Sequence, residues 1–405
     1  MARQVTNPAT PSSHSGPLEQ SLLVKLDQGY TLRLLKDMIG INSVVGSEGP
    51  LADYLLAELT DLGLACELQG VEPGRSNVYA RMKGQEGGRR LSFNGHLDTV
   101  PVCKGWKTDP FTPTTKDGRM YGLGACDMKA GIACILTMLK AFAESTHPFQ
   151  GEISFSGVID EEAYSKGARA MLATDLVESD AIVLAEPYPG DDSIPIPLGI
   201  TGKVLYELTI KGQAAHGFRP HLGINAVEEA ARILASLDRL PMQEHADFGR
   251  GNTCTLKVEG GYQVYSVVVP DRCRVEINRL LVPGETIGKA VQDMEMLIDS
   301  LDLKAEVEIG LKPPRYEPFL MSRHEPIMEV FDQVYREVMG VAPVYAYRAG
   351  ITDANVFGEK GIPCLHLGPA RGSVHQPNEY VSLDWLQPLS TMYTLIAARF
   401  LSCNA

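Results

Sequence analysis

The sequence predicts an α/β protein with a smaller α+β domain set into it. Between about residues 75 and 186, apolar runs of strand length alternate with helical segments, the mark of a layered sheet with parallel strands. Near residue 200 the rhythm changes to strand–helix–strand–strand–helix–strand, a compact βαββαβ set. After about residue 312 the first rhythm resumes. Length agrees, because 405 residues with 44% hydrophobic content favour two domains over one.

The elements follow from their patterns. LEQSLLVKLDQGYTLRLLKDMI and GPLADYLLAELTDLGL carry apolar residues at helical spacing. NVYARM, RLSFNGH, EISFSGVID and DAIVLAEP read as strands. MKAGIACILTMLKAFAE is a long apolar helix and KGARAMLAT a short one. In the insertion, GKVLYELTIKG, NTCTLKVEGG, RCRVEINRLLV and KAEVEIG are strands, with helices at GINAVEEAARILASLDRL and GETIGKAVQDMEMLIDSL. The large domain then resumes with a helix at EPIMEVFDQVYREVMG, a strand at PCLHLG and a last helix, SLDWLQPLSTMYTLIAARFL. Pro388 marks a kink or a late start in that helix. The domain bounds are therefore a disordered polar tail at 1–19, a large domain at 20–201 and 313–405, and an insertion at 202–312.

A formal charge of −13 argues against nucleic acid and anionic membranes as partners. No apolar run reaches transmembrane length, and the start has no hydrophobic signal core, so a cytoplasmic protein is expected. The eight cysteines are scattered without a C-x-x-C pair, which predicts reduced, mostly buried thiols.

Chemistry-bearing residues collect at strand ends. SFNGHLDTVP closes a strand with His96 and Asp98, which share a face if strand geometry persists. In open α/β sheets that end binds ligands. An imidazole is a good zinc ligand, and a carboxylate behind it fixes its tautomer. YGLGACDMKAG places Asp127 in a glycine-rich turn, where an N-cap is the plain alternative. VIDEEAYSKGA sets Asp160, Glu161 and Glu162 at another strand end, an odd place for adjacent carboxylates without a cation. IVLAEP adds Glu186, and GSVHQPNEYV adds His375 in a loop. Together they suit a pair of borderline cations such as zinc, with one carboxylate bridging and another outside the shell as a base.

GHLDTVP, DGRMYGLGACDMKAGIA, DEE, AEP, AAHGFRPHLGINAVEEA and HQPNEYV, in that order, resemble the acetylornithine deacetylase, succinyl-diaminopimelate desuccinylase and glutamate carboxypeptidase family of dinuclear metallohydrolases. The likeness covers nearly the whole chain from about residue 20. It implies a zinc-hydrolase-type mixed sheet flanked by helices, with the inserted domain as a lid that makes a homodimer. It implies two divalent metals per subunit, zinc with cobalt as a possible substitute. His96 and Glu186 would hold one, Glu162 and His375 the other, and Asp127 would bridge them. Asp98 would orient His96. Glu161 would be the general base for a metal-bridging hydroxide, and later the proton donor to the leaving amine. The Asp127–Met128 peptide would be cis. His216, in AAHGFRP, would donate to the oxyanion across the dimer.

The implied reaction is hydrolysis of the amide of an N-acylated amino acid. A dipeptidase or carboxypeptidase of the same family is the alternative, and spacing does not separate them. A metal-free binding relative is the rival from another class, but no ligand is missing. For the substrate, relatives use an arginine at the position held here by Leu280. Its neighbour Arg279 serves only if a bulge shifts the register. RAGITDANVF resembles the family's substrate loop, with Gly350 and Thr352, although Thr352 also suits a helix cap.

Overall fold

The computed structural model describes residues 16–402 except Tyr265, Ala370 and Arg371. The expected tail therefore lies outside the described residues up to residue 15, and Pro17 already opens the first helix. The chain divides into two compact units, Met1–Leu198 with Met321–Ala346 and Val356–Ala405, and Gly199–Leu320 with Tyr347–Asn355.

The first unit begins with α1 (Pro17–Val24) and α2 (Gln28–Gly40). The sequence reads these as one helix. They are separate because Asp27 adopts an extended backbone and its side chain caps α2 by accepting the Tyr30 N–H. α3 (Gly49–Asp61) follows, with proline in its first turn. Then come β1 (Ala65–Glu72), β2 (Arg75–Lys83), β3 (Gln85–His96), α4 (Ala130–Ala143), β4 (Gln150–Val158), α5 (Lys166–Leu172) and β5 (Ala181–Leu184). α4 is buried along most of its length, which explains its almost wholly apolar sequence.

The second unit holds β6 (Gly202–Lys211), α6 (Ala226–Leu234), β7 (Asn252–Gly260), β8 (Arg272–Leu281), α7 (Ile287–Asp299) and β9 (Glu306–Tyr316). This is the βαββαβ order read from the sequence. The four strands form one antiparallel sheet in the order β7-β8-β6-β9. Alternating burial on β6 and β8 puts Val204, Tyr206, Leu208, Val275 and Ile277 into a core with Ile233 and Met294 of the helices. The segment Tyr347–Asn355 joins this unit because Asn355 donates to the Thr201 and Glu317 carbonyls, at 3.0 and 2.7 Å.

The chain closes with α8 (Pro326–Met339), the short α9 (Ala354–Phe357), β10 (Cys364–His366) and α10 (Leu386–Ser402), whose first turn contains Pro388. The main sheet of the first unit runs β1-β2-β4-β3-β5-β10. β3, β4, β5 and β10 are parallel, while β2 runs antiparallel to both its neighbours, β1 and β4, so the sheet is mixed. α10 packs on α4 and α8. Among the described residues no helix is long and apolar enough to cross a membrane. Cys66, Cys103, Cys126, Cys134, Cys254, Cys273 and Cys364 are free thiols, and Cys403 lies outside the described residues.

Candidate metal centre

Three parallel strands deliver the site. β3 ends on His96, β4 ends just before Asp160, Glu161 and Glu162, and β5 ends just before Glu186. The register pairs His96 with Val158, and Leu91 with both Ile153 and Ala181, so these ends lie side by side. The turn before α4 adds Asp127, and the loop after β10 adds His375. The Asp127–Met128 peptide is cis.

The ligand-type atoms form three overlapping groups: His96, Glu161 and Glu162; His96, Asp127 and Glu186; Asp127, Glu162 and His375. Within each group they lie within 4.8 Å of one another. Asp127 presents one oxygen to each imidazole, Oδ1 at 3.2 Å from His96 Nε2 and Oδ2 at 3.3 Å from His375 Nε2. His375 Nε2 also lies 2.8 Å from Glu162 Oε1. Two ligand atoms each about 2.0–2.1 Å from one tetrahedral ion are about 3.3 Å apart. The spacings and the imidazole–carboxylate donor set therefore fit a divalent cation on each side of Asp127.

The charges point the same way. Burial opposes a charged His96, but the Asp127 hydrogen bond and the Glu161 and Asp98 charges outweigh it and hold its pKa well above the usual value. Hydrogen bonds to Asp127 and Glu162 raise His375 to about 10. Burial pushes Asp127 up, yet its bonds to His375 and His96 keep it well below the usual carboxylate range. The pocket thus favours positive charge at both imidazoles, a demand a metal meets as it displaces their protons.

Asp98 differs from expectation. His96 Nδ1 is 2.9 Å from the Asp98 backbone carbonyl and 3.9 Å from its carboxylate. β3 stops at His96, so the alternation that would align the two side chains stops there too. The carboxylate instead accepts the N–H groups of Glu161 and Glu162, at 3.1 and 2.9 Å. Burial lifts it to about 7. Asp98 meets His96 through its main chain and holds the acidic turn with its side chain.

Asp160 also separates from its two neighbours. Arg75 Nη2 bonds Asp160 Oδ1 at 2.7 Å and Glu48 Oε1 at 2.6 Å. Asp160 has a φ of 70°, strained for a residue with a side chain, and its carbonyl accepts the Tyr164 N–H at 3.0 Å to close the turn. The DEE run is therefore one structural acid paired with arginine, followed by two acids facing the metal site.

Other supports escaped the sequence reading. Lys129 is 1% exposed and ties the end of α2 to the start of α4, donating from Nζ to the Met38 and Ile41 carbonyls at 2.9 and 3.1 Å. Burial pulls it down to about 7. Glu379, buried in the His375 segment, binds the Asp127 turn. In sequence, neither differs from an ordinary helix lysine or loop glutamate. Cys126 beside Asp127 is buried, which pushes its thiol well above the usual range and leaves it inert.

The remaining candidates belong to the second unit. His216 is exposed, and its Nδ1 accepts the Phe218 N–H at 3.2 Å, which leaves the proton of a neutral ring on Nε2. Arg279 corrects the sequence reading. It is 1% exposed, bonded to Glu285 at 2.7 Å and Asp293 at 3.1 Å, and β8 pairs with β6 in unbroken register from Arg272 to Leu281. With no bulge to turn it, Arg279 is a buried structural ion pair rather than a substrate anchor. Thr352 is 4% exposed, and its Oγ1 accepts the Ala354 N–H at 3.2 Å at the start of α9, a local bond of the capping kind. Gly350 is exposed and donates its N–H to Thr201 Oγ1 at 3.2 Å.

The model of Peptidase family M20/M25/M40 matches residues 92–399. The succinyl-diaminopimelate desuccinylase of Cupriavidus necator is 27% identical over 384 residues, covering 92% of this chain and 99% of that protein. That of Aromatoleum aromaticum is 28% identical over 376 residues, covering 90% and 95%. A tripeptidase structure from Staphylococcus aureus aligns with a TM-score of 0.73 at 22% identity, covering 94% of this chain and all of that one. Aminopeptidase PepT from Bacillus cereus aligns at 0.74 and 20%, with 94% of this chain covered. These structures share the fold, and the match of the family model over most of the sequence says more: the chain belongs to peptidase family M20/M25/M40 and is a hydrolase of amide bonds.

Proposed function

We propose that this chain removes the acyl group from an N-acylated, and specifically an N-succinylated, amino acid, using two divalent metals, zinc by preference. The observation that carries this reading is the pair of ligand groups sharing Asp127, with Glu161 beside them. Full-length similarity to desuccinylases favours the acyl amino acid over a peptide. His96 and Glu186 would hold one metal and Glu162 and His375 the other, with Asp127 common to both groups. When bound, the metals lower the pKa of the attacking water and polarise the amide carbonyl. Glu161 accepts the proton that water releases and passes it to the departing nitrogen. The products are a carboxylate and a free amine. His216, with its proton on Nε2, donates to the oxyanion.

His216 does so for the partner in a homodimer. β7 is the edge strand of the second unit's sheet, exposed along nearly all its length, with Leu256 at 58% and Val258 at 48%. An open edge that carries these exposed apolar side chains offers its unpaired main-chain groups to a second copy.

The test is a panel of N-succinyl and N-acetyl amino acids and dipeptides, offered to protein reconstituted with zinc or cobalt. N-succinyl compounds should be turned over fastest, and metal-free protein should be inactive. Cleavage of dipeptides with the acylated amino acids untouched would replace this reading with the dipeptidase one.

A further inference from the structure

Glu379 stands four residues after His375 and is 2% exposed. Its carboxylate forms no ion pair among the described residues and is spent on backbone amides of the Asp127 turn. Oε2 accepts the Gly124 N–H at 2.9 Å, and Oε1 accepts those of Cys126 and Asp127 at 2.9 and 3.0 Å. Its own carbonyl accepts the Gly122 N–H at 3.0 Å. The two segments are pressed close here, since a Cβ built on Gly372 would lie 2.2 Å from Cys126 Sγ. Burying a carboxylate is costly unless it is fully hydrogen-bonded. A tie that only closed a loop could use a neutral side chain.

We infer that Glu379 is a positioning residue for the metal pair: it fixes the bridging Asp127 against the segment that carries His375, and so sets the spacing of the second metal subsite before any metal arrives. The inference rests on the two-metal reading above. The geometry gives the reason. Asp127 must offer Oδ1 to one side and Oδ2 to the other, and the 3.3 Å gap from Oδ2 to His375 spans two different segments. Within the His96, Asp127 and Glu186 group, Glu379 touches only the backbone of Asp127. Between Asp127 and His375 it ties together the two segments that carry them.

The test is stepwise metal uptake by chelated protein, followed by competition with a chelator of known affinity. Wild type should take up two equivalents; fewer would defeat the two-metal reading and this inference with it, whereas two equivalents in wild type with unchanged affinities in the variants would defeat this inference alone. In Glu379→Gln the amide oxygen can still accept two N–H groups, but its NH₂ faces the Gly124 N–H donor to donor. The second, weaker step should lose about 10–100-fold in affinity, the usual effect of removing a partner that orients a ligand, while the first changes less. Glu379→Ala should lose more. A merely structural role predicts lower melting temperatures with both affinities unchanged. Affinities within threefold of wild type at both steps would overturn the inference. Hydrogen exchange on wild type covers variants that fail to fold. The amides of Gly124, Cys126 and Asp127 should already be protected in metal-free protein. Fast exchange that slows only on loading would mean that the metals, not Glu379, build the turn.

Discussion

Two places in this molecule bury clusters of charge, and they balance it differently. In the second unit, Arg279 meets Glu285 and Asp293, and Lys289 meets Asp293 at 2.8 Å. Cations and carboxylates match within the chain. In the first unit, Asp98, Asp127 and Glu162 meet no lysine or arginine among the described residues; their partners are backbone amides and two imidazoles. One cluster balances its charge within the chain. The other holds an excess of negative charge that a core would not retain without a purpose. Charge balance separates a structural ion network from a site that takes up cations.

The same isosteric change, Glu to Gln, should act oppositely in the two clusters. Glu161→Gln keeps shape but removes the base. Turnover of the best N-acyl substrate should fall by ~10²–10⁴-fold while two metals still bind. Loss of a metal instead would make Glu161 a ligand and exchange its role with Glu162. Glu285→Gln leaves Arg279 short of a partner in a site closed to water. Unfolding free energy should drop by up to ~3 kcal/mol, and by the same amount with and without metal. A drop confined to the metal-loaded form would tie the second cluster to the site and dissolve the contrast.

Most of this contrast was legible in the sequence on one side only. Strands ending in HLD, DEE and AEP announce a site because ionisable residues crowd where apolar runs stop. The second cluster was misread because its meaning depends on register. Arg279 lies on the buried face of β8, and only the paired strand shows that no bulge turns it outward. Glu379, Arg75 and Lys129 stayed hidden for a related reason. Each acts on a segment distant in sequence, and a lone charged residue carries no sign of its partner. The edge strand β1 was missed because its sequence, ACELQGVE, lacks a regular apolar alternation. The break between α1 and α2 was readable in principle from Asp27, but continuous helical spacing outweighed one cap residue.

His366 offers a third way to bury an ionisable group. It is fully buried on β10, and burial lowers its pKa to about 3, so it folds neutral. Its folded pKa lies below the unfolded value of about 6.5, so its contribution is whole above that pH and is lost as pH falls toward 3. The slope is about 1.4 kcal/mol per pH unit. In chelated protein, the stability difference between wild type and His366→Gln should therefore shift against wild type by ~2 kcal/mol between pH 6.5 and 5. A constant difference across that range would mean that His366 takes up a proton in the fold.

The smallest effect gives the sharpest contrast. Glu161 shares a ligand group with Glu162 and His96, and the adjoining groups add the carboxylates of Asp127 and Glu186 and the imidazole of His375, so in metal-free protein near pH 7 three carboxylates stand with it against two imidazoles. Removing its charge relieves repulsion that bound metal would otherwise relieve. Metal-free Glu161→Gln should therefore be more stable than metal-free wild type by ~1 kcal/mol, or about 2–4 °C in melting temperature for a unit of this size. The order should invert on loading, because the metals are worth more to the site with the charge present. Glu285→Gln should show no such crossing. The measurement is a thermal melt of the three proteins with chelator and with saturating zinc, at fixed pH. If Glu161→Gln melts below wild type in both states, the acidic turn is already satisfied by Asp98, His96 and its other partners, and the excess charge of the site does not reach Glu161.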